Sequence, residues 1–323
     1  PPNRPPTVTV NSPTVTVDES DTATNTGTYN DPDGDPVNLS ASVGQVTGDD
    51  GTWSWSFQTT DGPADSQTVT ITANDGKGGV GSASFQLTVN NVPPTVSIVS
   101  LDQTIDCRKD TMLMFSFSDP GVNDSPWSVE IDWGDGNTDS FNASDQDAQH
   151  SVSHAYALPG TYTVTVRVTD KDGGEGSATG RITVTQVYAV DFLPPFDDSS
   201  PSGLIVNTMK NGRVVPVKAT IYDVCRESYV NDPTTEVTIK VSKTSGNGNS
   251  DAVEEYADAG QSSAGTNRFR WTADSSVPGG GFWIYNLDSK ALGLVVNNLY
   301  RIDIHVGSNL ATRDTWAVLQ PVK

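Results

Sequence analysis

The sequence predicts an all-β protein of three tandem β-sandwich modules, and three observations predict it. Residues 94–120 align without a gap on residues 6–32 at an offset of 88, and residues 163–184 align on 68–89 at an offset of 95, with eleven identities in 22 positions. A period near 90 residues with strand-like patterning marks two copies of one β module, the second about seven residues longer in its middle. Short period-two runs alternate with turn clusters such as DPDGD (31–35) and NDGKGG (74–79). About seven such runs, spaced roughly 8–12 residues apart, are the signature of a sandwich. Finally, only 34% of the residues are hydrophobic, as expected where half of each strand faces water.

The elements follow in order. The PPNRPP opening reads as an extended linker, and the missing initiating Met suggests a mature or excised part of a longer secreted protein. TVTV (7–10), TVTV (14–17), NLSASV (38–43), TWSWSF (52–57), TVTITA (68–73) and SASFQLTV (82–89) are the first module's strands. NNVPP (90–94) repeats the composition of the opening and sets the first boundary, giving a module over 1–91. The second module, 92–186, has strands near 95–99, 111–117, 127–132, 137–141, 150–154, 161–169 and 177–185. Pro194 and Pro195 break the pattern again, and the third module occupies 187–323. It does not repeat the others, yet RVVPVKATIYD (213–223), TEVTIKVSK (235–243), NRFRWTA (267–273), GFWIYNL (281–287) and LYRIDIHVG (299–307) read as strands. Residues 251–260 (DAVEEYADAG) read as a short helix or a loop, with Glu254 and Glu255 as solvated acids.

Charge narrows the function classes. The net charge is −21, with 11 acids against 2 bases in 1–91, 14 against 5 in 92–186 and 15 against 12 in 187–323. An acidic field of this kind repels phosphates, so no nucleic-acid partner is expected, while divalent cations are attracted. No stretch approaches the roughly eighteen apolar residues of a membrane span.

In the second module VEIDWGDG (129–136), HAY (154–156) and PGTYTVTVRVTD (159–170) stand in order. Trp133 can plug the core, Gly134 and Gly136 supply the positive φ of a tight hairpin, and His154 and Tyr156 share one strand face. His154 reads as a structural histidine bonded to a loop carbonyl, since a catalytic role would need a nucleophile or partner acid. This set resembles the polycystic kidney disease (PKD) domain, an extracellular immunoglobulin-like β-sandwich. The first module, through NDPDGD (30–35), is similar to cadherin-like or PKD-related bacterial surface repeats, although it lacks WGDG and HxY. The third, through VPVKA (215–219) and FRW (269–271), resembles the bacterial secreted PxKF domain, with Ala219 where that family has Phe. These resemblances imply three immunoglobulin-like sandwiches in an extended arrangement.

Calcium is the sharpest site hypothesis. Asp31, Asp33 and Asp35 alternate within one tight loop, and Asp75 from another loop can complete a set of hard oxygen ligands. In the second module the set is Asp119 with Asp170 and Asp172; the counterparts of Asp33 and Asp35 are Gly121 and Asn123, which weakens it. The competing reading is that these aspartates form Asx turns. Cys107 and Cys225 are either bridged or free, or paired between molecules; Cys107 replaces Glu19 of the first repeat, read as an accessible surface position. Trp53, Trp55 and Phe57 alternate and so face one side, which suits burial better than a carbohydrate platform. Among Phe282, Trp283 and Tyr285 an exposed ring is allowed.

No GxSxG, HExxH, Walker A or zinc spacing occurs, so the chain is expected not to be an enzyme. The expected function is an extracellular structural or adhesive segment of a prokaryotic surface protein, at the cell surface, partnered by copies of itself or by surface proteins or glycans. A head-to-tail filament is part of this reading, with residues 1–12 docking on a neighbour's sheet edge. The alternative is a non-catalytic substrate-binding region of a secreted hydrolase, beside which PKD-like modules often sit.

Overall fold

The computed structural model describes residues 2–99, 103–244 and 267–323; residues 251–260 and the pair Glu254 and Glu255 lie outside them. Among the described residues the chain is all-β, without an α-helix and with one 3₁₀ turn at Pro278–Gly280. It forms two compact units: Pro1–Gln103, Met112–His154 and Tyr162–Ile182 make the first, and Thr104–Thr111, Ala155–Thr161 and Thr183–Lys323 the second.

Eight strands build the amino-terminal sandwich: β1 (Thr7–Val8), β2 (Thr14–Asp18), β3 (Thr22–Asn30), β4 (Asn38–Ala41), β5 (Gln45–Asp49), β6 (Thr52–Gln58), β7 (Gln67–Asn74) and β8 (Val80–Asn90). They form sheets ordered β1-β3-β6-β5 and β2-β8-β7-β4, with β2 parallel to β8. Alternation places Trp53, Trp55, Ile71, Phe85 and Leu87 between the sheets. Period-two reading did not foresee β3, because its inward residues are Ala23, Asn25 and Gly27. Gly27 is required there: a Cβ would collide with the Thr9 carbonyl and come within 2.5 Å of the Trp53 ring. β1 pairs with β3 in its own module, Thr7 opposite Asn30. The segment expected to dock on a neighbour thus contributes a strand to its own sheet.

The next strands are β9 (Thr95–Ile98), β10 (Gln103–Asp106), β11 (Asp110–Ser118), β12 (Trp127–Asp132), β13 (Thr138–Ala143), β14 (His150–Ala155), β15 (Gly160–Thr169) and β16 (Glu175–Thr185). Their sheets are ordered β10-β16-β15-β12-β13 and β14-β11-β9. β12 alternates strictly, burying Trp127, Val129 and Ile131. Phe117 stacks on His150 at 5.6 Å and meets Trp127 at 5.5 Å.

The last sandwich has β17 (Tyr188–Leu193), β18 (Val206–Lys210), β19 (Val214–Asp223), β20 (Ser228–Tyr229), β21 (Val237–Thr244), β22 (Arg270–Ala273), β23 (Gly281–Asp288), β24 (Leu299–Val306), β25 (Asn309–Leu310) and β26 (Ala317–Val322). One sheet runs β17-β19-β23-β22, with β20 on β19; the other runs β18-β26-β24-β21, with β25 on β24. β18 pairs with β26 in parallel. Val217, Ile221, Ile239, Trp283, Leu287 and Ile304 fill the space between.

Candidate functional site

Polar chemistry collects at the ends of the sandwiches. Asp31 follows β3 and its Oδ1 accepts the backbone N–H of Asp33 at 2.8 Å and of Asp35 at 3.2 Å, an Asx turn. Its Oδ2 is buried without a partner. Arg4 binds the Asp33 carboxylate through its guanidinium and backbone N–H, at 2.9 and 2.7 Å, and holds it below the ordinary aspartate value. Lys77 Nζ donates to Asp35 at 2.5 Å. Asp75 Oδ1 accepts from the N–H groups of Lys77 and Gly79, and its Oδ2 from Asn3 Nδ2 at 2.8 Å. The four residues gather at one end, where Arg4 and Lys77 already supply positive charge.

The second sandwich repeats this clasp. Asp170 Oδ1 accepts from the N–H groups of Asp172 and Gly174, and its Oδ2 from Asn91 Nδ2 at 2.9 Å. Asn91 is 88 residues after Asn3 and Asp170 is 95 after Asp75, the two repeat offsets. Asp119 accepts from Gly121 N–H at 3.0 Å and from Trp127 Nε1 at 2.7 Å. Asp172 turns elsewhere: it pairs with Lys171, which also binds Asp61 at 2.8 Å and Asp124 at 3.1 Å.

Sequence reasoning missed Glu19 and Asp124. With Asp119 they form a cluster whose ligand oxygens lie within 4.8 Å of one another. All three are buried, at 2%, 0% and 6% exposure. Glu19 follows β2 in the first sandwich, and its oxygens accept from Val92 N–H and Gly62 N–H, both at 2.9 Å. Asp124 lies between β11 and β12. The surface position expected for Glu19 and Cys107 is corrected: each is 2% exposed, because each ends a strand where another β module packs. No local motif marks Glu19 or Asp124, because period-two reading ignores loops and the cluster forms only when the two domains pack.

Burial raises the pKa of all three carboxyls above the ordinary range. The N–H bonds of Gly62 and Val92 oppose this at Glu19, as Trp127 does at Asp119 and Lys171 at Asp124. Asp124 and Asp119 add to the rise at Glu19 by like-charge repulsion. Around Lys171 the carboxylates of Asp172, Asp61 and Asp124 outweigh burial and keep the ammonium charged above its ordinary value.

In the second unit Cys107 and Cys225 form a disulfide with Cα atoms 5.5 Å apart. The Val187 N–H points at Cys225 Sγ at 3.3 Å, Arg108 Nε donates to the Cys225 carbonyl at 3.2 Å, and Gln186 Nε2 to Asp223 at 2.7 Å. Arg313 grips Asp106 through two nitrogens, at 2.8 and 2.6 Å, and this pair takes the Asp106 carboxyl down to about 2.

The aromatic residues are spent on packing. Trp53 and Trp55 are buried and donate to the carbonyls of Thr9 and Val43. Trp283 and Tyr285 are buried, and half-buried Phe282 lies under Lys218 Nζ at 5.3 Å. His154 stacks on Trp133 at 4.6 Å and bonds Asp135 at 2.8 Å. A loop carboxylate is thus among its partners. Gly134 and Gly136 take φ of 76° and 94° in that hairpin.

Comparison with known proteins agrees with this architecture. A family model described as PKD domain matches residues 91–185, and one described as Bacterial Ig domain matches residues 3–88. The chain carries a bacterial Ig domain followed by a PKD domain. No curated protein matches it. Among solved structures, an I-band fragment of titin is 11% identical, covering 98% of each chain with a TM-score of 0.35. An ectodomain fragment of ICAM-5 is 10% identical over 98% of this chain and 78% of its own, with a TM-score of 0.44. The PKD domain of an M14-like peptidase from a Thermoplasmatales archaeon is 22% identical over 29% of this chain and 94% of its own, with a TM-score of 0.24. The Asn91–Asp170 clasp and the Trp133–His154–Asp135 hairpin both belong to the PKD domain, and the Asn3–Asp75 clasp to the Ig domain.

Proposed function

We propose that this chain is a structural or adhesive segment of a prokaryotic surface protein. PKD and bacterial Ig domains fit an extracellular surface or adhesive segment and are typically non-catalytic. No helix among the described residues is long and apolar enough to cross a membrane. The observation that carries the reading is where the chain invests its polar chemistry. Buried carboxylates and the disulfide sit where one sandwich meets the next, and the clasps close the ends of the Ig and PKD domains. A disulfide also suits an oxidising, extracellular compartment.

Its partners in this reading are copies of itself or surface proteins and glycans, and head-to-tail filaments are one form the assembly takes. Calcium at the Asp31, Asp33, Asp35 and Asp75 end would compete with Arg4 and Lys77. At Asp119, Asp170 and Asp172 it would meet Asp119 and Asp170 together, with Asp172 held by Lys171. Electron microscopy of native cells with antibody labelling, with and without chelator, tests the proposal: surface label on beaded filaments is expected, and exclusively intracellular label would end it. An accessory role beside a hydrolase would instead show as polysaccharide or protein-substrate binding in pull-downs. Trp283 and Tyr285 are buried, so among the described residues such binding would fall to half-buried rings such as Tyr222, Tyr229, Trp271 and Phe282.

A further inference from the structure

We infer that Glu19, Asp119 and Asp124 form a site for a hard divalent cation of the calcium class, shared between the Ig and PKD domains and fastening one to the other. This deepens the structural reading above by naming an ion and a joint. It differs from the loop sets in needing Glu19 from one domain and Asp124 from the other.

Four observations carry it. The three carboxylates are at least nine-tenths buried, where uncompensated negative charge is costly. Asp124 Oδ2 is buried and has no hydrogen-bond partner. Lys171 Nζ meets Asp124 at its Oδ1 and is divided among Asp124, Asp61 and Asp172. Lastly, the carboxylates of the two domains approach the same backbone position. A Cβ on Gly121 would collide with Asp124 Oδ2 and lie 2.7 Å from Glu19 Oε2, so the two oxygens converge over a bare backbone.

The donor set defines the ion. All ligands are oxygens, which favours calcium or magnesium over softer metals. Two oxygens bound to one Ca²⁺ at about 2.4 Å can be at most about 4.8 Å apart, and the ligand oxygens meet that limit. Asn91 Oδ1 is a second buried oxygen without a partner, one residue before the Val92 N–H that binds Glu19. A relaxed, all-oxygen set of this kind suits Ca²⁺ better than Mg²⁺, which demands near-ideal octahedral geometry.

The test uses the full chain and Ca²⁺ itself. Calorimetric titration with CaCl₂, MgCl₂ as control, is run on the native chain, Glu19→Gln, Asp124→Asn and Asp33→Asn. Trp127 donates to Asp119, so Tb³⁺ in the site should luminesce through that indole and be displaced by Ca²⁺. The expected result is Ca²⁺ binding that weakens at least about tenfold in both Glu19→Gln and Asp124→Asn, since affinity follows ligand charge, and persists in Asp33→Asn. Absence of Ca²⁺ binding by the native chain overturns the inference. Binding lost in Asp124→Asn but kept in Glu19→Gln overturns the shared joint. Should either variant fail to fold, Tb³⁺ displacement on the native chain decides, absence of sensitised signal counting against. Surface localisation is measured separately, so either idea can fail alone.

Discussion

Glu19 and Cys107 occupy the same position in the two repeats, 88 residues apart, and both are 2% exposed at the end of a strand. Glu19 N–H donates to Asn90 O at 3.0 Å; Cys107 N–H donates to Thr185 O at 3.2 Å, 95 residues further on. The Glu19 carboxylate receives the Val92 N–H, while Cys107 is bonded to Cys225, whose sulfur faces the Val187 N–H. One backbone frame thus holds two chemistries: acid within the first unit, sulfur within the second.

Breaking the covalent tie should unlock the second unit. The disulfide closes a separation of 118 residues, for which chain entropy sets an upper scale of about 4–5 kcal/mol, with measured losses of about 2–5 kcal/mol. Denaturant unfolding of Cys225→Ala should show one transition weakened by that amount, and the transition of the first unit unmoved.

The acid joint should show a reversed pH dependence. Unfolded carboxyls titrate near 4, while Glu19, Asp119 and Asp124 hold their protons to higher pH when folded. In that window the folded state binds more protons, so stability falls as pH rises from about 4 through the raised values. In chelator, melting curves of the native chain minus those of Asp124→Asn should show this decline, and a flat difference would contradict it.

Asp106 should behave oppositely. Its folded value of about 2, set first by Arg313, contributes stability that is present above the unfolded value near 4 and lost as pH falls towards 2. Arg313 is 47% exposed, so Arg313→Ala should cost only about 0.5–1 kcal/mol near neutrality. Acid titration followed by the second unit's melting should show the native and variant curves converging below about pH 3.

His154→Ala should weaken the PKD domain by about 1–2 kcal/mol, through the lost Trp133 stack and the charge-assisted bond to Asp135. Thermal unfolding followed by circular dichroism reads the loss as a lowered midpoint. Retention of native stability would remove the structural role assigned to the histidine.

Sandwich class and repeat were legible because Val, Ile, Thr and Trp recur at period two in both copies. β3 was not, since its inward face is Ala23, Asn25 and Gly27, and its strand state comes from pairing with β1 and β6. β10 was hidden by its four-residue length. At the site, the loop aspartates could be seen through their Gly and Pro neighbours. Glu19 and Asp124 could not, because their meaning comes from packing between two domains 100 residues apart in sequence, as does the Ser20 hydroxyl's bond to the Pro120 carbonyl.

The clasps carry a consequence for biosynthesis. Asn3 meets Asp75 across 72 residues, and Asn91 meets Asp170 across 79. In each case the opening of a domain is tied to its last hairpin, β7–β8 or β15–β16. A chain emerging amino-terminus first therefore cannot seal either domain until nearly all of it has been delivered, and long-range closures of this kind are slow. Until then β1 can pair with β3 and β9 with β11, while Asn3 and Asn91 still await the carboxylates that lock each opening segment in place.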